Sequence, residues 1–378
     1  MAPQVFHDLI MTLIPVQGDI VWPSLNTILL GTGATVLLRA VYLLYLHPLA
    51  GIPGPRRAAL SNLWLYSVSK AGHAPERFIE LHRKYNSNLL RIGPNEIHIL
   101  DSSQYHTIYS QDHAFLKDSA FYDGFLLPHS VTTEPDKMLH RARRKKLSVF
   151  FSKASISSFQ HLIYDKLDKL CEMISEHADG KPLQFSNAIR CATVDIISEV
   201  SFGESLGQLD EAEGPGFETN FLKVLDVMLS GPWELIYFPV LRKVMSKAPL
   251  SFQAAVGGAN GRAARFAYLI INILRNYFQT KEPIGTVAAG DRRMVVFDAI
   301  KDLEYTDLVA EAQNIIIAGS DTTATTLTVA FLQMLKSPPV YNALKKEIRE
   351  ANLLTEQDFD LLALERLPYL ESYQPDGW

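Results

Sequence analysis

The sequence predicts a mainly α-helical fold with a small β-sheet, of the α+β class, and one N-terminal transmembrane helix. The stretch Leu25–Leu46 holds 22 residues with one charge, which is long and apolar enough to span a bilayer. A second apolar stretch, from Thr306 to Lys336, is typical of a helix at the centre of a large protein. Residues 89–100 contain two short apolar-rich runs on either side of a turn signal, a pattern typical of two paired strands.

Length and composition exclude some classes of protein. The chain has 378 residues, of which 47% are hydrophobic and 20% charged, so it can bury a sizeable core. The net charge of -5 argues against a nucleic acid as partner, because such a partner needs a basic surface. The two cysteines, Cys171 and Cys191, are too few for a disulfide framework and indicate a reducing compartment.

Residues 25–46 are predicted to form the membrane anchor. Arg39 lies near enough to the end of the segment to reach the lipid headgroups, with Tyr42 and Tyr45 beside it as interfacial residues. A cleaved signal peptide is the alternative. It is disfavoured by the length of the apolar run and by the lack of a basic leader.

Basic residues follow the anchor and none precedes it. Arg56, Arg57 and Lys70 lie after the segment, so the positive-inside rule assigns residues 1–24 to the lumenal side and the rest to the cytoplasm. Residues 47–57 contain three prolines, which fix φ and predict a stiff, extended hinge between the membrane and the domain.

The chain beyond the hinge is predicted to be largely helical. Periodic apolar residues predict helices at the segments listed here in order: 74–85, 159–174, 189–200, 217–229, 263–278 and 340–351. The strands are expected at Leu89–Ile92 and Glu96–Leu100, around the turn Gly93-Pro94-Asn95. Residues 115–131 show no period and are predicted to be a loop. The two cysteines fit core positions on their helices.

The middle of the long apolar helix is polar. Residues Ala318 to Thr326 read AGSDTTATT, which places a glycine, a carboxylate and four threonines where a core helix should be apolar. Glycine costs about 1 kcal/mol in a helix interior, and threonine hydroxyls can bond back to a carbonyl and bend the helix. We expect a locally opened helix that faces something bulky. On spacing alone, a core helix with a satisfied polar turn remains an equal alternative.

A basic run, residues 140–146, opens another helix. His140 and Arg144 are four residues apart and therefore share a face. A solvated helix face or a contact with anionic lipid is one interpretation. Binding of a carboxylate is the other, because a guanidinium matches a carboxylate with two parallel hydrogen bonds.

The segment Ala318–Thr323 resembles the central-helix signature of the cytochrome P450 family. Two further segments, 84–99 and 194–203, are similar to the first hairpin and to a core helix of that family. The resemblance implies a P450 fold with a catalytic domain over residues 58–372. Residues 121–156 are most similar to fungal secondary-metabolism members, including terpene oxygenases of the trichothecene type.

The resemblance also implies a cofactor, partners and site residues. Heme b would bind with Ala318 and Gly319 at its face and with His140 and Arg144 on its propionates. Asp321 and Thr322 would be the catalytic acid–alcohol pair that relays protons. Electrons would come from NADPH through NADPH-cytochrome P450 reductase on the endoplasmic reticulum membrane. The substrate would be a small apolar secondary metabolite, terpene-like or polyketide-like.

Two family motifs are not found after Leu370, where they are expected. These are the Glu-x-x-Arg helix and the cysteine loop that supplies the thiolate ligand, so no residue is assigned to the metal. Residues 373–378 do not resemble the family. We therefore expect a C-terminally truncated P450 fold that is inactive in this form. The alternative is a non-catalytic, membrane-tethered remnant or scaffold protein.

Overall fold

Apolar residues at helical spacing make most of the described chain helical. The computed structural model describes residues 24–110, 115–177, 180, 182–229, 232–256, 258–280, 295–351 and 360–372. The chain divides into two units, Met1–Thr107 and Ile108–Trp378.

The N-terminal unit combines the anchor helix, three short helices and the hairpin. Its elements are, in order, α1 (Leu25–Val41) with a π-helical turn at Tyr42–Leu46, α2 (Arg56–Leu60), α3 (Leu63–Lys70), α4 (Ala74–Tyr85), β1 (Leu89–Arg91) and β2 (Ile97–Ile99). A 3-10 turn at Ser102–Gln104 follows. Helix α5 (Tyr105–Tyr109) crosses the boundary between the units.

The predicted hairpin is confirmed. β1 and β2 pair antiparallel, with Leu90 opposite His98, and they form the one sheet among the described residues. Helix α4 ends at Asn86, which takes the left-handed conformation with φ 47° and so releases the chain into β1.

The end of the anchor helix is fixed to β1. Side chains along α1 are exposed, whereas Leu43 in the following turn is buried. The Arg91 guanidinium donates to the Leu43 carbonyl at 2.7 Å and to the Pro94 carbonyl at 2.8 Å. The Arg91 backbone N–H donates to the Pro53 carbonyl at 2.8 Å. The proline-rich segment is therefore held against a strand at Pro53.

Two described helices are long and apolar enough to cross a membrane, judged by length and composition. They are Leu25–Leu46, with its π-helical turn, and Tyr305–Lys336. The first is the predicted anchor. The second buries much of its first half in the core of the C-terminal unit.

The C-terminal unit is helical throughout its described part. Its helices are α6 (Ser119–Tyr122), α7 (Lys137–Ser148), α8 (Lys153–Ser158), α9 (Gln160–Glu176), α10 (Phe185–Phe202), α11 (Gln208–Glu211), α12 (Asn220–Leu229), α13 (Trp233–Tyr237), α14 (Pro239–Lys247), α15 (Leu250–Val256), α16 (Gly258–Thr280), α17 (Tyr305–Lys336), α18 (Pro338–Glu350), α19 (Leu361–Leu364) and α20 (Pro368–Ser372). Short 3-10 turns lie at Asp123–Phe125 and Val296–Ala299.

The core of this unit lies where α10 crosses α17. Leu308, Ala312 and Ile316 form the buried stripe of α17, because they recur every four residues. Phe202 at the end of α10 packs on Phe297, with ring centroids 4.7 Å apart. The crossing positions the polar middle of α17 beside the part of α10 that runs from Arg190 to Ile197.

Two expectations need correction. The segment 115–131 is not entirely loop, because Asp118 caps the short helix α6 by accepting from the Ala120 N–H at 2.9 Å. The expected opening of the central helix is also wrong: α17 is α-helical from Tyr305 to Lys336. The Ser320 and Thr322 hydroxyls donate to backbone carbonyls one turn earlier. Each carbonyl oxygen has a second lone pair that still accepts the N–H of the helix, so these bonds do not open α17.

Candidate active site

The central helix changes from buried to exposed at its polar middle. The residues before it are buried up to Ile316, whereas Ala318 and Thr322 are exposed. The Thr322 hydroxyl donates to the Ala318 carbonyl at 2.6 Å. Thr325, Thr326 and Val329 continue the exposed surface for two more turns. The helix thus presents a stripe of small side chains, on which a flat group can lie close to the backbone.

Gly319, the next residue after Ala318, faces α10. A Cβ atom added to it would be 2.4 Å from Cγ1 and 2.8 Å from Cδ1 of Ile197 on α10. Glycine at this position lets the two helices approach. Contact of Gly319 with heme stays a prediction.

Asp321 lies between the exposed stripe and α10, and it is paired. Its Oδ1 is 2.7 Å from Nε of Arg190, and Nη2 of the same guanidinium is 2.7 Å from Oδ1 of Asp226 on α12. The Nε–H does not point at an acceptor, so the first contact is an ion pair without an aligned hydrogen bond. Arg190 is 12% exposed at its side chain, Asp321 28% and Asp226 59%.

Sequence reasoning missed Arg190. A signal existed, because a charged residue stands between the apolar residues that mark α10 as a core helix. Such a residue needs a partner of opposite charge when it is buried. The sequence could not indicate which of the carboxylates on other helices provides it.

His140 and Arg144 lie on α7. This helix begins at Lys137 because the Asp136 carboxylate accepts from the N–H groups of Met138 and Leu139 at 2.8 and 2.9 Å. Burial lowers the pKa of His140, and the charges of Lys117 and Arg144 lower it further. Arg144 is exposed, and within the described part of the chain its guanidinium makes no hydrogen bond or ion pair.

The central helix holds the loop that precedes α7. The Glu311 carboxylate is 1% exposed and accepts from the Val131 N–H at 2.8 Å. The Arg143 guanidinium lies 2.5 Å from the Asp307 carboxylate. Neither Glu311 nor Arg143 was singled out from the sequence, because their partners lie far away along the chain.

The six predicted site residues fall into two sets. Ala318, Gly319, Asp321 and Thr322 share one stretch of α17, and His140 and Arg144 share one face of α7. Among the described residues no hydrogen bond or ion pair joins the two sets. A ligand that touched both would need a flat body for the stripe and anionic groups for the cations.

Heme has these features, and the side chains present suit its face and its propionates. The two cysteines are not placed as a ligand. Cys191 is fully buried, as expected for a core position, and burial raises the pKa of its thiol to about 12. The core position expected for Cys171 is wrong, because this residue is exposed on α9. No group of three or more potential metal-ligating side chains occurs among the described residues.

The described structure is that of a mainly helical protein whose central helix carries an exposed alcohol, Thr322, next to a partly buried acid, Asp321. A family model described as Cytochrome P450 matches residues 53–373. The chain therefore belongs to the cytochrome P450 family.

Its relatives are fungal monooxygenases. The chain is 30% identical over 363 residues to cytochrome P450 monooxygenase aflU of Aspergillus parasiticus, covering 92% of this chain and 69% of that protein. It is 26% identical to aneF of Aspergillus aculeatus, covering 89% and 70%. It is 28% identical to TRI4 of Fusarium sporotrichioides, covering 89% and 65%. These relatives support assignment to the P450 monooxygenases of fungal secondary metabolism.

Proposed function

We propose that this protein is by family a membrane-anchored heme-thiolate monooxygenase of small apolar secondary metabolites, terpene-like or polyketide-like. We further propose that these 378 residues bind heme but are inactive, because neither described cysteine is placed as the metal ligand. The main support is the surface of α17, where Ala318 and Thr322 are exposed and Asp321 is held beside them by Arg190. Small side chains admit a flat cofactor, and the acid and alcohol lie within one turn of each other.

Each predicted residue has a defined chemical task in this proposal. Bound heme supplies the activation of oxygen. Asp321 accepts a proton from solvent and Thr322 carries it onward through its hydroxyl, which now donates to the Ala318 carbonyl. The partly buried His140 and the exposed Arg144 hold the propionates through charge-assisted hydrogen bonds.

The membrane assignment follows from the anchor. The exposed apolar helix α1 would insert into the endoplasmic reticulum membrane as a single span, with the catalytic domain in the cytoplasm. The electron donor would be NADPH-cytochrome P450 reductase. Its electrons come from NADPH.

The placement of the cysteines favours a second candidate. A buried thiol with a pKa of about 12 stays protonated, so Cys191 does not supply a thiolate, and Cys171 lies on the exposed surface of α9. The second candidate is a non-catalytic, membrane-tethered remnant or scaffold protein that does not bind heme.

Titration of the full chain with heme distinguishes the two candidates. The proposal expects saturable binding that Arg144→Met weakens about tenfold, and a reduced, carbon-monoxide-bound spectrum without a thiolate-type Soret band. Failure to bind heme would favour the second candidate. A thiolate-type band would show that our expectation of inactivity is wrong.

A further inference from the structure

Glu311 is a buried carboxylate on the central helix α17, and it bonds to the loop that precedes α7. Its side chain is 1% exposed, and each carboxylate oxygen has a donor. Oε2 accepts from the Val131 N–H at 2.8 Å, and Oε1 accepts from the Asn314 amide at 2.9 Å. Burial raises the pKa of Glu311, so its charge is costly at this place. The carboxylate holds Val131, a residue of the loop before α7.

Val131 in turn bonds to Lys117. Its carbonyl accepts from Nζ of Lys117 at 3.2 Å, and the Thr132 carbonyl accepts from the same Nζ at 2.8 Å. Val131 is therefore held by the central helix through its N–H and holds Lys117 through its carbonyl. Two of the three ammonium protons are used in this way, which leaves one for another acceptor.

The loop that carries Val131 has its own internal bonds. The Thr133 hydroxyl donates to the Leu127 carbonyl at 2.5 Å, and the Ser130 and Thr133 hydroxyls lie 3.0 Å apart. Arg143 also donates to the His129 carbonyl and pairs with Asp307 on α17. Because these ties are independent of Glu311, removal of its carboxylate should shift Lys117 without unfolding the loop.

Lys117 is bonded to Val131 and Thr132 of the loop that leads into α7, the helix that carries His140 and Arg144. Its charge is the second cause, after burial, of the lowered pKa of His140, and Arg144 is the third. Burial also lowers the pKa of Lys117 itself, against the opposing effect of Glu134. Lys117 and His140 are thus both affected by one carboxylate, that of Glu134, which lies 3.1 Å from Nδ1 of His129. Such a cluster favours an added anion.

We propose that Glu311, acting through Val131, positions Lys117 as a third cation beside His140 and Arg144 for the carboxylate groups of the cofactor. Lys117 would be a binding residue and Glu311 a positioning residue. The inference rests on the proposed function, in which His140 and Arg144 take those carboxylates.

The test uses a porphyrin that needs no metal ligand. The full chain in detergent is titrated with metal-free protoporphyrin IX, which has two carboxylates, and with its dimethyl ester, and binding is followed by fluorescence. Wild type should prefer the diacid. Lys117→Met should weaken diacid binding about tenfold and leave ester binding unchanged, because one charge-assisted hydrogen bond is lost.

Variants of Glu311 separate positioning from stability. Glu311→Leu should weaken diacid binding as much as Lys117→Met, and the double variant should be no weaker than either, because Glu311 acts through Lys117. Glu311→Gln should retain most of the binding, since its amide oxygen can still accept from Val131. Lys146→Met is the matched control, because Lys146 lies on α7 but pairs with Asp302 at 2.6 Å. It should bind as wild type does.

The outcomes separate the role of Lys117 and Glu311 from the heme proposal on which it rests. If wild type prefers the diacid and Lys117→Met binds it equally well, the inference is overturned and the heme proposal stands. If wild type shows no preference for the diacid, the roles of His140 and Arg144 fail and the inference fails with them. Should Glu311→Leu not fold, Lys117→Met and Glu311→Gln still decide the result.

Discussion

At the scale of single residues, one guanidinium serves two carboxylates. Arg190 reaches Asp321 with Nε and Asp226 with Nη2, each at 2.7 Å. Asp321 is the more buried of the two acids, so it loses more hydration and depends more on the pairing. Because Asp226 lies on α12, this arginine also links that helix to the polar middle of α17. The acid assigned to proton transfer is therefore held in place by a residue outside the family signature.

Replacing Arg190 should destabilise the protein. Arg190→Met roughly keeps the side-chain volume but leaves the partly buried Asp321 carboxylate without its cation. This should lower the free energy of unfolding by about 1–3 kcal/mol. Arg190→Lys keeps the charge but reaches one acid only, so its loss should be smaller. Thermal unfolding measures both, at about 2–4 °C for each kcal/mol.

Lys169→Met is the control for this prediction. Lys169 pairs with Asp210, but the two side chains are 37% and 73% exposed, so its loss should cost under about 1 kcal/mol. Equal melting temperatures for Arg190→Met and Lys169→Met would show that the Arg190 pairs do not stabilise the fold.

At the scale of elements, the crossing of α10 and α17 fixes the face that α17 exposes. Gly319 meets Ile197 of α10, and the neighbouring face of the helix, with Ala318 and Thr322, is exposed. If α17 rotated or moved outward, both the stripe and Asp321 would be displaced. The glycine in the family signature is explained here by helix contact.

Gly319→Ala should therefore push the helices apart. The added Cβ would lie 2.4 Å from Ile197 Cγ1, and we expect a loss of stability of about 1–3 kcal/mol despite the better helix propensity of alanine. Ile197→Ala removes the clashing atoms, so the double variant should be more stable than the sum of the two single losses. Denaturant unfolding of the four proteins gives the coupling. Strict additivity would contradict the contact.

Long helices were predictable from the sequence and short ones were not. Helices α4, α9, α10 and α17 bury periodic stripes, so their bounds follow from apolar spacing to within a few residues. The helices between Trp233 and Val256 are short and interrupted by Pro239 and Pro249, so no period develops. The exposed apolar residues Val240 and Val244 further obscure which face is buried.

The candidate site was predictable only in part, for a related reason. A motif within one helix turn identifies Ala318 to Thr322, because those residues are neighbours in the sequence. Arg190, Lys117 and Glu311 meet their partners through the tertiary fold, which local spacing does not encode. Their burial and pairing are visible only once the helices are placed.

Helix α4 and the hairpin are joined by two histidines, which gives this contact a pH dependence. His82 is 3% exposed; its Nδ1 lies 2.5 Å from the Ser87 carbonyl and its Nε2 2.8 Å from Nδ1 of His98. The carbonyl requires Nδ1–H on His82, so Nε2 accepts from His98. Protonation of His98 takes place at its Nε2 and puts a positive charge on a half-buried ring. Burial, and then the charge of His82, lowers the pKa of His98.

Stability of the N-terminal unit should consequently fall in mild acid. The folded pKa of His98 lies below its unfolded value of about 6.5, so the unfolded chain takes up the proton first as pH falls. The contribution is complete above that pH and decreases below it. The melting temperature is measured from about pH 7.5 to about pH 5.5, roughly one unit on either side of the unfolded pKa. Over this range it should fall less for His98→Gln than for wild type. His106→Gln, an exposed histidine, should match wild type.

At the scale of the whole molecule, the exposed apolar helix α1 is the candidate membrane anchor. Leu30 and Leu37 are 75% and 65% exposed and lie on either side of the middle of the helix, where they would face lipid. A lysine at the bilayer centre costs about 2.5–3.5 kcal/mol. Leu30→Lys with Leu37→Lys should therefore release the protein from carbonate-washed membranes into the supernatant. Leu46→Lys, at the end of the segment, can extend its ammonium to the headgroups and should stay in the pellet. Retention of the double-lysine variant in the pellet would show that α1 is not the anchor.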